Sequence, residues 1–144
     1  MNVFQLNYEA RLSDWYDLRV RLEDSALEEK CVNIDKWWQK APLVTHHLHI
    51  LDSESWPDPW ELLVENTYDE VARAVGICYT LLLLDVSDIE MAEATDTMGN
   101  DVILVLVDNA KYVLNYFPDT VLSNTLSDFN IKRTVAIDTI KTKI

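Results

Sequence analysis

Asn100-Asp101-Val102-Ile103-Leu104-Val105-Leu106-Val107-Asp108-Asn109-Ala110-Lys111-Tyr112-Val113-Leu114-Asn115-Tyr116-Phe117 is the stretch whose reading decides the fold. Two runs rich in β-branched and aromatic residues flank Asp108-Asn109-Ala110, which predicts a tight antiparallel hairpin of 101–107 with 111–117. Working upstream, Met98-Gly99-Asn100 is a second turn, and Ile89–Thr95 alternates with a period of two. Downstream, 131–137 reads as a fourth strand. Before Asp85 the apolar period is three to four, so helices come first and strands last. That order predicts an α+β fold with N-terminal helices packed on a C-terminal antiparallel sheet.

The helical part divides at its caps. Ser13 is the predicted start of a helix carrying Trp15, Leu18 and Leu22. Asp24 or Ser25 opens a second, with Leu27, Cys31, Ile34 and Trp38 on one stripe, and Pro42 stops it. Residues 44–51 suit a short strand or an extended loop. Asp58 followed by Pro59 is a favoured N-cap and first-turn pair, predicting a short helix with Leu62 and Leu63. Asn66 or Thr67 then opens a longer helix, with Glu70 completing a capping box to Thr67. Val71, Ala74, Val75, Cys78, Leu81 and Leu82 form its stripe. Gly76 inside it implies either a close contact or a break into a strand over 77–84.

Composition excludes several functions. The 144 residues hold 12 Lys+Arg against 25 Asp+Glu, a net charge of −13. Neutralising phosphates or anionic lipid needs clustered cations, so neither direct nucleic-acid binding nor membrane docking is expected. At 49% hydrophobic residues and five Trp, the chain can bury a core as one domain over 1–144. With two glycines, Gly76 and Gly99, no phosphate-cradling loop can be built. No organic cofactor is therefore expected. The N-terminus lacks a cationic and apolar leader, which points to the bacterial cytoplasm, with Cys31 and Cys78 as reduced, buried thiols.

Candidate chemistry is sparse. His47 and His49, with His46 beside them, could share a face on a strand, and Asp52 or Glu54 could add a third metal ligand. Nothing completes a tetrahedral set, and paired surface histidines explain the cluster as well. Both cysteines lie mid-helix on apolar stripes, where a thiol is inert. Trp37-Trp38 and Trp56/Trp60 suit core packing but could also build an aromatic sugar- or peptide-binding groove, with Trp56, Trp60 and Tyr68 as its ligand-binding candidates.

From Trp56 onward the order of features resembles the bacterial transglutaminase-like cysteine proteinase family, whose core is papain-like. Trp56-Pro57-Asp58-Pro59-Trp60-Glu61-Leu62-Leu63 is similar to the family's Trp-x-x-Pro-x-Glu-Leu lead-in. Asn66-Thr67-Tyr68-Asp69-Glu70-Val71-Ala72-Arg73-Ala74 is similar to Gly-Asp-Cys-Glu-Asp-Tyr-Ala-x-Ala, with Tyr68 where the cysteine stands. The hairpin beginning Asn100-Asp101 is similar to the histidine strand and the Val-Leu-Asp-Asn strand, with Asp101 at the histidine and Asn115 at the aspartate. Residues 119–122 resemble Asp-Glu-Val-Leu. The resemblance covers about residues 56–135 and implies a transglutaminase-like core over 56–137 behind a helical part at 1–42. It also implies a degenerate triad of Tyr68, Asp101 and Asn115, with a phenol of ordinary pKa about 10 replacing the thiol. As a whole the chain is also similar to small proteins of tailed phages of marine cyanobacteria.

The reading that follows is a non-catalytic binding or accessory domain, for which the second resemblance implies a phage origin. Two others stand beside it: a hydrolase or transferase with a relocated site, using Cys78 or the histidines with Asp52, and an acidic mimic of nucleic acid. From Glu54 to Asp108 there are thirteen acids and one base, Arg73, while Lys132, Arg133, Lys141 and Lys143 lie near the end. A surface in that segment should favour a cationic or neutral protein or small ligand.

Overall fold

The computed structural model describes residues 2–117 and 120–144. Strands β1 (Ile89–Thr95) and β2 (Asp101–Val107) have the predicted bounds and pair in register from Ile89 opposite Val107 to Thr95 opposite Asp101. β3 (Tyr112–Phe117) starts a residue later than predicted, because the turn is wider. Asp108, Asn109 and Ala110 all take left-handed φ, at 58°, 54° and 61°. β4 (Thr120–Ser123) is a strand that the alternation did not reveal, and β5 (Asn130–Ala136) sits within a residue of its predicted bounds. The order β4-β3-β2-β1-β5 means that β5 crosses back to pair with β1, not with the strand before it.

Both faces of this sheet are covered. Met91, Val105, Val107 and Leu114 belong to the main core with the helices, while Ala92, Leu104, Leu106, Val113 and Phe129 form a second cluster on the other face. That explains why β2 is a nearly unbroken apolar run rather than a strict alternation.

Helix α1 (Tyr8–Leu22) begins before the predicted Ser13, since the side chain of Asn7 accepts from the Ala10 N–H and caps it. Its buried Trp15, Leu18 and Leu22 are the predicted stripe. α2 (Leu27–Trp38) starts after Asp24 and Ser25, with Ala26 at a cap position that makes no side-chain bond. α3 (Pro59–Glu65) is capped by Asp58 with Pro59 in the first turn, as read. α4 (Glu70–Leu83) is capped by Asp69 instead of Asn66 or Thr67; Asn66 ends α3 in the left-handed region. Residues 43–50 form an irregular loop, and α5 (Asp138–Lys141) is a closing turn. Among the described residues no helix is long and apolar enough to cross a membrane.

α4 is the axis of the molecule: every residue from Val71 to Leu81 is buried, with α2 on one side and β2 on the other. The helix runs unbroken through Gly76. A Cβ there would lie 2.5 Å from the ring of Trp38, so the glycine exists to admit an indole. One turn on, the Thr80 hydroxyl accepts the indole N–H of both Trp15 (2.9 Å) and Trp38 (3.0 Å) and donates to the Gly76 carbonyl (2.8 Å). A single buried oxygen thus ties α1 and α2 to α4 with its hydrogen-bonding capacity filled.

Candidate functional site

The N-terminus of α4 is where the resemblance places a nucleophile, and the local sequence builds something else there. Tyr68 precedes the cap in extended conformation. Its carbonyl accepts from the Val44 N–H at 2.7 Å, and its ring is fully covered, edge-on to Phe4 (5.3 Å between centroids) and Trp38 (5.9 Å). The hydroxyl lies 3.4 Å from the Leu62 carbonyl. Burial pushes the phenol's pKa up, against a smaller opposing effect of Arg11. A covered phenol with a raised pKa is a packing group.

Asp69 is the working residue at this end. One carboxylate oxygen accepts from Ala72 N–H at 2.8 Å and caps the helix. The other accepts from the His47 and Leu48 N–H groups at 2.8 and 3.0 Å. The same side chain therefore starts α4 and pins the 43–50 loop over it. Between the loop and the sheet lies a cleft of about 430 Å³, lined by residues including Leu43, His46, Ile50, Glu70, Glu93 and Ile103. A hollow of about 190 Å³ shares Glu70, Glu93 and Ile103 with it and is bordered also by Asp101 and Lys132.

Asp101 opens β2 with its side chain 77% exposed and paired to Lys132 Nζ at 2.6 Å. Asn115 is buried in β3 at φ 68°. Its amide nitrogen donates to the Glu70 carbonyl (3.2 Å) and the Ile103 carbonyl (2.9 Å), and its oxygen accepts from Arg73 Nε at 2.6 Å. Its backbone N–H donates to Asp35 at 2.8 Å. Among the described residues, Tyr68, Asp101 and Asn115 make no hydrogen bond to one another. Asp101 and Glu70 border one hollow, and Asn115 anchors the backbone of Glu70, the first residue of α4.

The aromatic and histidine candidates have structural partners. Trp56 is covered and donates its indole N–H to the His49 carbonyl at 2.9 Å, so it offers a ligand no open face. Trp60 is 42% exposed and stands edge-on to Trp15 at 6.3 Å. His47 Nε2 lies 3.9 Å from Glu65, His49 Nδ1 accepts from the Leu51 N–H at 3.2 Å, and Asp52 accepts from the Ser55 hydroxyl at 2.8 Å. Among the described residues no three His, Cys, Asp or Glu side chains converge into a set that could hold a metal ion. Both thiols are buried: Cys31 is pushed up to about 12, by burial first and then by the nearby Asp35, while burial alone raises Cys78.

Asp35, Asp69, Arg73 and Glu93 escaped the sequence reading. For Asp69 the signal was present, an Asp three residues before Ala72 at the head of an apolar run, but the Thr67/Glu70 pair competed with it. For the other three no local signal exists. Asp119 of the 119–122 match lies outside the described residues.

No family model matches the sequence, and no curated protein matches it. Solved structures do. Legionella pneumophila LapG in its calcium-bound form superposes with a TM-score of 0.74 at 14% identity, over 91% of this chain and 77% of that one. A further Legionella pneumophila LapG structure gives 0.72 at 14% identity over 90% and 75% of the two chains. The EGTA-treated form gives 0.71 at 13% over 90% and 74%. At this identity the likeness concerns the fold: α+β, of the transglutaminase-like kind found in LapG.

Proposed function

We propose that this chain is a non-catalytic transglutaminase-like domain of phage derivation that works as a binding or accessory module in the bacterial cytoplasm. The observation that carries the reading is the head of α4. At the position that the resemblance gives to the family's thiol stands Tyr68, covered and with a raised pKa, which is no exposed, activated nucleophile. Both cysteines are sealed in the core, which leaves a relocated thiol site without an accessible nucleophile. Beside that helix lies a cleft of about 430 Å³, within the size range of ligand pockets. Its charged lining of Asp69, Glu70 and Glu93, over apolar Ile50, Val71 and Ile103, favours a cationic or neutral ligand with an apolar part.

Iodoacetamide labelling of the native chain near pH 8, read by mass, tests the reading alongside peptidase and acyl-transfer assays. Neither Cys31 nor Cys78 should react until denaturant is added, and no turnover should appear. Native-state labelling together with turnover that Cys78→Ala or His47→Ala abolishes would overturn it.

A further inference from the structure

A second hollow, of about 270 Å³, opens where α1 and α4 both end, and it shares no lining residue with the cleft at the head of α4. Tyr16, Arg19, Val20 and Glu23 line it from α1; Leu83, Leu84 and Asp85 line it from α4 and the turn beyond. Glu23 and Leu84 are the C-caps of the two helices, and Asp85 turns the chain at φ 62°. Helix C-termini carry carbonyls without intrahelical partners and a partial negative charge. Here the Val20, Leu81 and Leu82 carbonyls already accept backbone N–H groups, so the negative character of the wall comes from Glu23, Asp85 and the two helix dipoles.

Arg19 sits in that negative surround and answers none of it. Its guanidinium carbon lies 4.2 Å from the Trp15 ring centroid and 5.5 Å from that of Tyr16. Its Nε is buried with no hydrogen-bond partner. Among the described residues it has no ion pair, although Glu23 follows it by one helical turn. Arg11, Arg73 and Arg133 differ, since each donates to a carbonyl, an amide or a carboxylate. Loss of solvent lowers the Arg19 pKa, without bringing a guanidinium near neutrality. A planar fork held over an indole, with no hydrogen bond to its outer nitrogens among the described residues, is pre-organised for a carboxylate.

Neither a simple anion nor a simple cation suits the hollow. Glu23, Asp85 and the helix ends repel the first, and Arg19 repels the second. A molecule carrying both charges satisfies both halves, and the half-exposed Tyr16 and Val20, with Leu83, give an apolar wall for the rest of it. The volume has room for a single residue rather than a length of peptide. We infer that this hollow binds a free α-amino acid with an apolar side chain, its carboxylate on Arg19 and its ammonium on Glu23 and Asp85.

Titrating the full chain with leucine and following its ¹⁵N–¹H spectrum tests this. Saturable shifts are expected at the Trp15 indole and the Tyr16 and Val20 amides. N-acetyl-leucine lacks the ammonium and leucinamide lacks the carboxylate, so each should bind at least about tenfold more weakly, as expected for losing one charge-assisted contact. Arg19→Gln and Glu23→Gln should each weaken leucine binding by a similar factor. The absence of saturable shifts at leucine concentrations up to about 10 mM overturns the inference. So does equal binding of either analogue, which would instead mark a site for a chain terminus, or an Arg19→Gln variant that binds unchanged. The three-ligand comparison uses the unaltered chain and stands whether or not either variant folds.

Discussion

Asn115 occupies a backbone conformation that few residues accept, at φ 68° inside a strand. Asn tolerates the left-handed region better than other residues with a side chain, and here its amide also joins α4 to β2. The neighbouring Arg73 and Asp35 are both buried and lie within electrostatic reach of each other. Removing one partner of such a group costs more than the pair contributes. Arg73→Met should therefore destabilise the fold by about 3–5 kcal/mol, read as a shifted urea midpoint. Gly76→Ala is a second case: helix propensity favours alanine by about 1 kcal/mol, yet its Cβ would meet the Trp38 ring at 2.5 Å. Overpacking, at about 1–3 kcal/mol, should outweigh that gain and leave a net loss of up to about 2 kcal/mol by the same measurement. In the sequence, Asn115 stood out only as the position that the resemblance gives to the family's aspartate. Its work as a link between α4, β2 and Asp35 was not legible, because neither a left-handed φ nor a contact to Asp35, eighty positions away, leaves a local trace.

At the scale of elements, the strands β1 and β2 and the helix α3 were legible because their evidence is local: alternation, a turn triplet, an Asp-Pro cap. The start of α4 was misread because two overlapping cap patterns compete, and the choice of Asp69 depends on the 43–50 loop, which donates two N–H groups to it. The place of β5 beside β1 was unreadable for the same kind of reason, since strand order follows from packing. Asp69→Ala tests the double role. It should lose about 1–2 kcal/mol as a helix cap, and it should also raise amide exchange and protease cleavage within 43–50. The β1–β2 turn offers a pH test. Asp96 accepts from Asn100, Met98 and Tyr116, and those bonds hold its carboxyl below the usual range. A depressed folded pKa contributes stability above the unfolded value of about 3.9, which is lost as pH falls through the folded one. Asp96→Asn should therefore flatten the acid limb of the stability profile, seen in urea midpoints between about pH 6 and pH 3.

Across the whole molecule, the acidity concentrated between residues 54 and 108 has an architectural share. Asp58 and Asp69 cap helices, while Asp88 and Asp96 hold turns by accepting backbone N–H groups. From β5, Lys132 and Arg133 reach back to Asp101 and Glu93. Exposed pairs like these contribute little each, so most of the −13 acts as self-repulsion. Raising sodium chloride from about 0.02 to 0.5 M should raise the melting temperature, and more steeply in a Lys132→Glu/Arg133→Glu variant. An unchanged slope in that variant would show that β5 does not offset the acidic segment. The Thr80 hydroxyl, bonded to two indoles at once, implies a timing rule for opening. The Trp15 and Trp38 indole protons sit on separate helices but share one acceptor, so they should exchange with deuterium at one rate, set by the event that frees α1 and α2 from α4 together.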